Sequence, residues 1–406
     1  MAARHGISRT KGPGVMRIFI EPTEPLLFRT GRSFDAGESN FAESIFPPTP
    51  ETMQGALRAM IATHSTHMSR EMSLAARFET DTLIDLIGNY RVGYGRFRIT
   101  GLTVGRLNND NTFERLFPAP AHLIQVKFKG DERPAIVRLK PAPRPSVKSN
   151  MPADMQFLIL SDSDNKDLDG RPKSLGWLTE HDLRIALEAQ SDLSQIKPVI
   201  SRDIYQQEAR LGIGMDNRTK TTQEGFLYQA QMIRMVRDND HIYGFVADMR
   251  LARKSAHQEF TDDSQTQKEL GLPTSGWLTL GGEQRAAHFT VLDTEPADQH
   301  NSLEQSKLGR FVYLATPAHF IGGWRPPENR FDSSNKLIAA AINRAESIGG
   351  WELNPHHAGG KGKTTRRCVP AGSVYFFDKP VSVTQPLTEY GWQIGYGIAY
   401  TGDYES

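Results

Sequence analysis

Apolar residues along the chain recur at two periods, one of two residues and one near 3.6, and the switches between them mark the elements. Residues 17–20 alternate and run into Glu21-Pro22, which predicts a first strand closed by a turn and continued by Leu26, Leu27 and Phe28. Met53, Ala56, Leu57, Met60 and Ile61 then fall on one face of a helix, the stripe of an element packed on a core. Thr49-Pro50 starts that helix, a hydroxyl cap followed by a proline whose missing N–H costs nothing there. Gln54 and Arg58 sit on the neighbouring face. Residues 97–104 read as a strand, residues 116–120 end the next one, and 175–187, with LTEHDLRIAL, contain a short capped helix. The runs 232–236 and 242–251, split by Arg237-Asp238-Asn239-Asp240-His241, predict a hairpin. Strands follow at 277–280 and 287–292 around Gly281-Gly282-Glu283, then at 311–317, 373–377 and 393–400. Periodicity leaves 337–342 open between helix and strand, and its alanines favour helix. Strand-rich halves with one or two helices each give an α+β class.

Between these elements lie long polar stretches. Residues 29–48 carry Arg29, Arg32 and Ser33 beside Phe34 and Phe41, and so long a loop inside a compact domain is uncommon unless it has a function. Residues 210–221 join Gly212 and Gly214 to Arg210, Arg218, Thr219, Lys220 and Thr221, with no apolar residue from 216 to 224, so a mobile loop with donors for an anionic partner is expected. Residues 354–367, NPHHAGGKGKTTRR, form the most basic short stretch, a glycine-containing loop expected to be mobile between fixed ends. Residues 140–152 read as a linker or insertion. The aspartates of SDSDNKDLDGR do not fit a calcium loop, because lysine and aspartate occupy its key positions.

At 406 residues the chain is long enough for two cores, and 35 Gly with 24 Pro favour turns over long helices. Its 48 basic and 47 acidic residues leave a net charge of +1, so any contact with nucleic acid must come from the local clusters at Arg29-Arg32, Arg210-Arg218-Lys220 and Lys361-Lys363-Arg366-Arg367. The single Cys368 excludes an intrachain disulfide framework and multi-cysteine zinc sites, and fits a reducing compartment. No run approaches the length of a membrane span, so a cytoplasmic protein with no membrane partner is expected. Residues 1–15 are polar and basic and read as a disordered extension. His64 and His67, and the adjacent His356 and His357, lack a carboxylate at ligand spacing, and no G-x-S-x-G occurs. Gly93-Tyr94-Gly95 and Gly395-Tyr396-Gly397 are too short for a nucleotide fingerprint. Catalytic residues, metal and cofactor are therefore none. Arg, Lys, Ser, Thr and glycine-rich loops with interleaved aromatics are instead what phosphate and single-stranded RNA require.

The string GIGMDNRTKTTQEGFLY resembles the RAMP superfamily, and FRTGRSFDAGESNFAESIFPPTPETMQGALR, GWLTLGGEQR, FIGGWRP, IGGWEL and RRCVPAGSVYFF resemble, in chain order, the third Cmr subunit of type III-B CRISPR effector complexes within it. The resemblance covers most of the chain from Met16 onward and implies two tandem ferredoxin-like (RRM-related, RAMP) domains with long inserted loops, at 16–205 and 206–406. It favours strand at 337–342. It also implies a non-catalytic, RNA-binding subunit that holds the 5-prime handle of the guide crRNA. Such a subunit bridges the large polymerase-like subunit to the adjacent backbone RAMP subunit and meets target RNA only indirectly. The residues lining the RNA would be Arg29, Arg32, Ser33, Gln54, Arg58, Arg210, Arg218, Thr219, Lys220, Thr221, Arg325, Lys361, Lys363, Arg366 and Arg367. A metal-independent RAMP endoribonuclease and a protein-only adaptor are the alternatives.

Overall fold

The computed structural model describes residues 15–29, 41–69, 71–89, 91–110, 112–143, 149, 151–160, 167–215, 219, 221–253, 260, 263–292, 308–331, 335–352, 361–383 and 385–404. The fold is α+β and rich in strands. Seven antiparallel strands form the larger sheet, in the order β10 (Trp177–Thr179), β4 (Phe113–Pro118), β3 (Phe97–Asn108), β13 (His241–Leu251), β1 (Met16–Pro22), β15 (Arg285–Leu292) and β14 (Ser275–Leu280). This sheet takes strands from both sides of residue 205, where the two domains were expected to meet. A four-stranded sheet follows, β17 (Leu337–Ala341), β22 (Val374–Val381), β16 (Gly309–Leu314) and β23 (Ala399–Gly402). Smaller pairings join β5 (Leu123–Val126) to β6 (Ala135–Arg138) and β9 (Lys173–Ser174), β7 (Lys140–Ala142) to β8 (Phe157–Ile159), β18 (Glu346–Ile348) to β21 (Arg366–Cys368), and β19 (Trp351–Glu352) to β20 (Lys361–Gly362). The helices are α1 (Pro50–His64), α2 (Leu74–Arg77), α3 (Asp81–Ile87), α4 (Glu180–Leu187), α5 (Ser201–Ile204) and α6 (Asp263–Leu270).

Helix α1 starts where its sequence places it. The Thr49 hydroxyl accepts from the Thr52 amide at 3.2 Å, Pro50 follows, and the cap contributes about 1 kcal/mol. Met53, Leu57, Met60 and Ile61 then bury against Ile18, Ile20, Val104, Ala247 and Met249 of the larger sheet. The four-stranded sheet is covered on both faces. Phe311, Tyr313, Val374 and Phe376 share a core with Phe117, Leu178 and Leu183, while Val312, Leu314, Tyr375 and Phe377 pack with Phe320 and Val381. Their strands therefore read as unbroken apolar runs rather than alternation. The Tyr313 hydroxyl donates to the Pro118 carbonyl at 2.6 Å and fastens one sheet to the other.

Several readings of the sequence are corrected. Of the hairpin expected across residues 237–241 only the turn forms, with Arg237 bridging antiparallel to Ile242, and the two runs then part into different sheets. Strand β13 inserts between β1 and β3, and the hairpin partner of β12 (Thr222–Met235) is β11 (Tyr205–Met215). Residues 210–215 of the loop expected at 210–221 are thus strand, because alternate residues of β12 find a core: Ala230 and Met232 pack with Leu27. Leu26 does not prolong β1 but bridges to Ile233. Residues 337–341, left open by periodicity, are strand, as the resemblance implies, and pairing with β22 holds them there in spite of their alanines. Of 393–400, residues Trp392–Ile394 make a 3-10 turn, and the strand begins at Ala399.

Two buried polar groups sit inside this framework. Arg17 donates to both carboxylate oxygens of Asp248, at 2.7 and 3.1 Å, and Arg115 reaches Asp248 at 3.3 Å and Glu180 of α4 at 2.7 Å. Burial works to raise the Asp248 carboxyl, but Arg17 and Arg115 outweigh it and hold it below the usual carboxylate range. Gly101 makes room for the acid, since a Cβ there would lie 2.5 Å from Asp248 Oδ2. His122 is fully buried between Phe311 and Phe376, with ring centroids at 4.9 and 5.4 Å, and neither ring nitrogen has a hydrogen-bond partner. Burial, helped by the Arg138 charge, pushes its pKa down to about 3.

Candidate nucleic-acid interface

Most of the expected site residues that the structure describes fall into two groups. The first surrounds the start of α1. Gln54 is buried there, and Arg58 donates to the Gly88 carbonyl at 2.7 Å with its guanidinium 5.8 Å from the centre of the Phe78 ring. Gly88, Asn89 and residues 91–95 belong to a tight loop, in which the Asn89 carboxamide oxygen accepts from the amides of Arg91 at 2.9 Å and Val92 at 3.1 Å. Gly88 has φ +71°, and a Cβ on it would lie 1.9 Å from the Gly93 carbonyl oxygen, so only glycine closes the loop. At the far end Arg98 donates to the carbonyls of Gly95 and Phe97 and lies 5.4 Å from the centre of the Trp392 ring.

Opposite this loop, Arg366 in β21 stacks on Tyr390, its guanidinium carbon 3.7 Å from the ring centre. Tyr390 hydrogen-bonds Tyr94, and the Tyr396 hydroxyl donates to the Glu51 carboxylate in the first turn of α1. Burial raises the Glu51 pKa, against the pull of Tyr396 and of the Lys363 and Arg366 charges. Burial likewise lowers Arg58 and Arg98, though an arginine remains charged. Lys363 and Arg366 thus act on a carboxyl that burial drives toward its neutral form, and Arg58 and Arg98 add two further buried cations on the neighbouring loop.

The second group is the β11–β12 hairpin. Its neighbour β2 (Phe41–Ala42) runs parallel to it, pairing Phe41 with Gln229, and Arg29 bridges to Ser44 just beyond. Arg210 lies in a strand, not a loop. Its Nε donates to Glu208 at 2.8 Å, and Arg234 shares the same carboxylate at 2.6 Å, so those two hydrogen bonds hold Glu208 below the usual range. Leu211 and Ile213 stand exposed on the opposite face, Leu211 at 74%. Thr219 and Thr221 are exposed, with their hydroxyls 2.7 Å apart.

Other expected residues belong to neither group. Arg325 is engaged by Asp154 at 2.7 Å. Lys361 lies in β20, opposite Glu352, and Arg367 lies in β21, where its carbonyl accepts from His319 at 3.2 Å; what was expected as one basic loop is therefore partly strand. Arg32, Ser33, Arg218, Lys220, His356 and His357 lie outside the described residues, as does most of the 1–15 extension. A surface depression lined by Gln125, Lys173, Ser174, Ile200 and Arg202 uses none of these side chains. Among the described residues no three His, Cys, Asp or Glu converge as metal ligands, and no helix is long and apolar enough to cross a membrane.

Sequence reading missed Arg98, Tyr94, Tyr390 and Trp392. Of these only Tyr94 carried a signal, the Gly-Tyr-Gly at 93–95, whose repeat at 395–397 holds the Tyr396 that bonds Glu51.

A family model described as CRISPR-associated protein (Cas_Cmr3) matches residues 18–404. No curated protein matches the chain. Among solved structures, a chain of type III-B Cmr-beta bound to cognate target RNA and AMPPnP is 16% identical, with 89% of this chain and 86% of that chain covered and a TM-score of 0.44. Corresponding values for Cmr-beta bound to cognate target RNA are 17%, 89%, 86% and 0.43. The apo state gives 10%, 69%, 97% and 0.29.

Proposed function

The chain belongs to the Cas_Cmr3 family of CRISPR-associated proteins, and from that premise we propose that it is a non-catalytic subunit of a type III-B Cmr complex that grips the 5-prime handle of the guide crRNA. The carrying observation is the basic cluster around the start of α1, where the Lys363 and Arg366 charges act on the buried Glu51 carboxyl and Arg58, Arg98 and Arg366 lie against aromatic rings. Arginine on aromatic surface beside rigid glycine turns is what single-stranded RNA calls for. The β11–β12 hairpin, whose two strands are joined in sequence by a stretch that carries Arg218 and Lys220, is a second contact on the same strand. On this reading the two large sheets correspond to the tandem ferredoxin-like units that the resemblance implies. The large polymerase-like subunit and a backbone subunit lie on either side, in a cytoplasmic complex.

The test is binding of handle-bearing RNA as a function of salt. Arg218→Ala should weaken guide binding in the assembled complex and reduce the slope of log K against log salt by about 0.7, the value for one phosphate contact on a single strand. An unchanged slope moves the hairpin turn to a protein interface. Purified chain incubated with labelled guide RNA, with and without Mg²⁺, should leave the RNA intact on a denaturing gel. Cleavage that disappears when one histidine is changed would make the endoribonuclease alternative correct.

A further inference from the structure

Arg98 is 8% exposed, and its described hydrogen bonds go to carbonyl oxygens rather than to a carboxylate. Its Nε is buried with no hydrogen-bond partner, and the same holds for Nε of Arg58. These two guanidiniums pin opposite ends of the 88–95 loop, Arg58 at Gly88 and Arg98 at Gly95. Burying a cation without an acid beside it is unfavourable, and an anion docked at the surface above it relieves that cost. Over Arg98 lies the indole of Trp392, 41% exposed, so that one ring face covers the cation and the other meets water. Tyr94, 37% exposed, stands on the loop between the two arginines, tied by its hydroxyl to Tyr390, whose own ring carries Arg366. Gly391 and Gly395, both at positive φ, fix the short turn that presents Trp392.

We propose that this ledge seats one unpaired nucleotide of RNA, its phosphate in the field of Arg58, Arg98 and Arg366 and its base stacked on Trp392 or Tyr94. The proposal rests on the RNA-binding reading above and adds to it a named stacking surface. An acidic peptide would answer the cations but leave both rings in water, whereas a nucleotide has an anion and a π face at the required spacing. A paired base is already stacked on its neighbours, so the ledge selects single strand. Stacking of this kind is indifferent to sequence, because every base has such a face.

The experiment uses the full chain and single-stranded RNA carrying 2-aminopurine at successive positions from its 5-prime end. The expected result is that Trp392→Leu weakens binding roughly ten-fold with an unchanged salt slope, since no phosphate contact is lost. Trp392→Phe should keep most of the affinity, and 2-aminopurine quenching at one or two adjacent positions should vanish in the leucine variant. Tyr94→Leu serves as the second variant should Trp392→Leu lower the melting temperature. Wild-type affinity with quenching intact in both leucine variants overturns the ledge and leaves the RNA reading standing. If the wild-type chain binds no RNA, that reading falls and the ledge falls with it. Should Trp392→Leu lose a neighbouring subunit on co-purification yet bind RNA as before, the surface is a protein contact and the proposal is wrong.

Discussion

Replacing Asp248 by asparagine is expected to destabilise the protein by about 3–5 kcal/mol, the range for removing one partner from a buried ion pair. Asparagine keeps the shape but not the charge, and it leaves Arg17, 12% exposed in its side chain, without its bidentate acceptor. Arg115 keeps Glu180 but loses its second acid. The measurement is denaturant unfolding at neutral pH, compared with Lys129→Ala, which breaks an exposed pair with Asp167 and should change nothing measurable. A loss below about 1 kcal/mol for Asp248→Asn would mean that water reaches the network. The pH dependence has a definite sign. Because the folded Asp248 carboxyl is held low, its contribution is complete above the ordinary carboxylate pKa and is lost only as the pH falls through the folded value, in strong acid.

Acid sensitivity at milder pH comes from His122. Its folded pKa of about 3 lies well below the ordinary histidine value of 6.5, so between those values the unfolded chain binds a proton that the folded one refuses. Stability from this group is therefore complete above pH ~6.5 and falls by up to about 1.4 kcal/mol per unit as the pH drops toward the folded value. Glu346 acts in the opposite sense. Burial raises its pKa to about 7, so the folded state holds a proton that the unfolded state releases, and stability declines as the pH rises from the ordinary carboxylate value toward 7. The two partly cancel in the wild type, and only a difference curve separates them. His122→Leu keeps the position apolar between Phe311 and Phe376. The stability gap between variant and wild type should shift in favour of the variant by roughly 2–3 kcal/mol between pH 6.5 and 4.5. Parallel curves would show that the ring is solvated or hydrogen-bonded in solution.

Legibility in the sequence followed the range of the interactions. Helix α1 was readable to its first residue because cap, proline and apolar stripe are all local. The strand at 337–341 was not, since alanine satisfies either period and only the partner β22 decides it. Across residues 237–241 the local pattern is that of a hairpin, and nothing near it announces that β13 pairs with β1 and β3, far upstream. The site divides in the same way. Lys363 and Arg366 were found as members of a basic cluster and Arg58 by its place on α1 beside the apolar stripe, but Arg98 and Tyr94 come from one segment and Tyr390 and Trp392 from another far along the chain, and only the fold brings them together. Arg210 was misplaced because Gly212 and Gly214 suggest a loop, whereas glycine also occurs within paired strands.

The position of β1 has a consequence for how the protein is made. Both of its sheet neighbours lie late in the chain, and the Arg17–Asp248 pair spans 231 residues. At ribosomal rates of about 5–20 residues per second, Ile18, Phe19 and Ile20 leave the exit tunnel roughly 10–50 s before their partners exist. An apolar strand with two open edges must be shielded through that interval, so the yield of soluble protein is governed by chaperone supply and translation speed rather than by the stability of the finished fold.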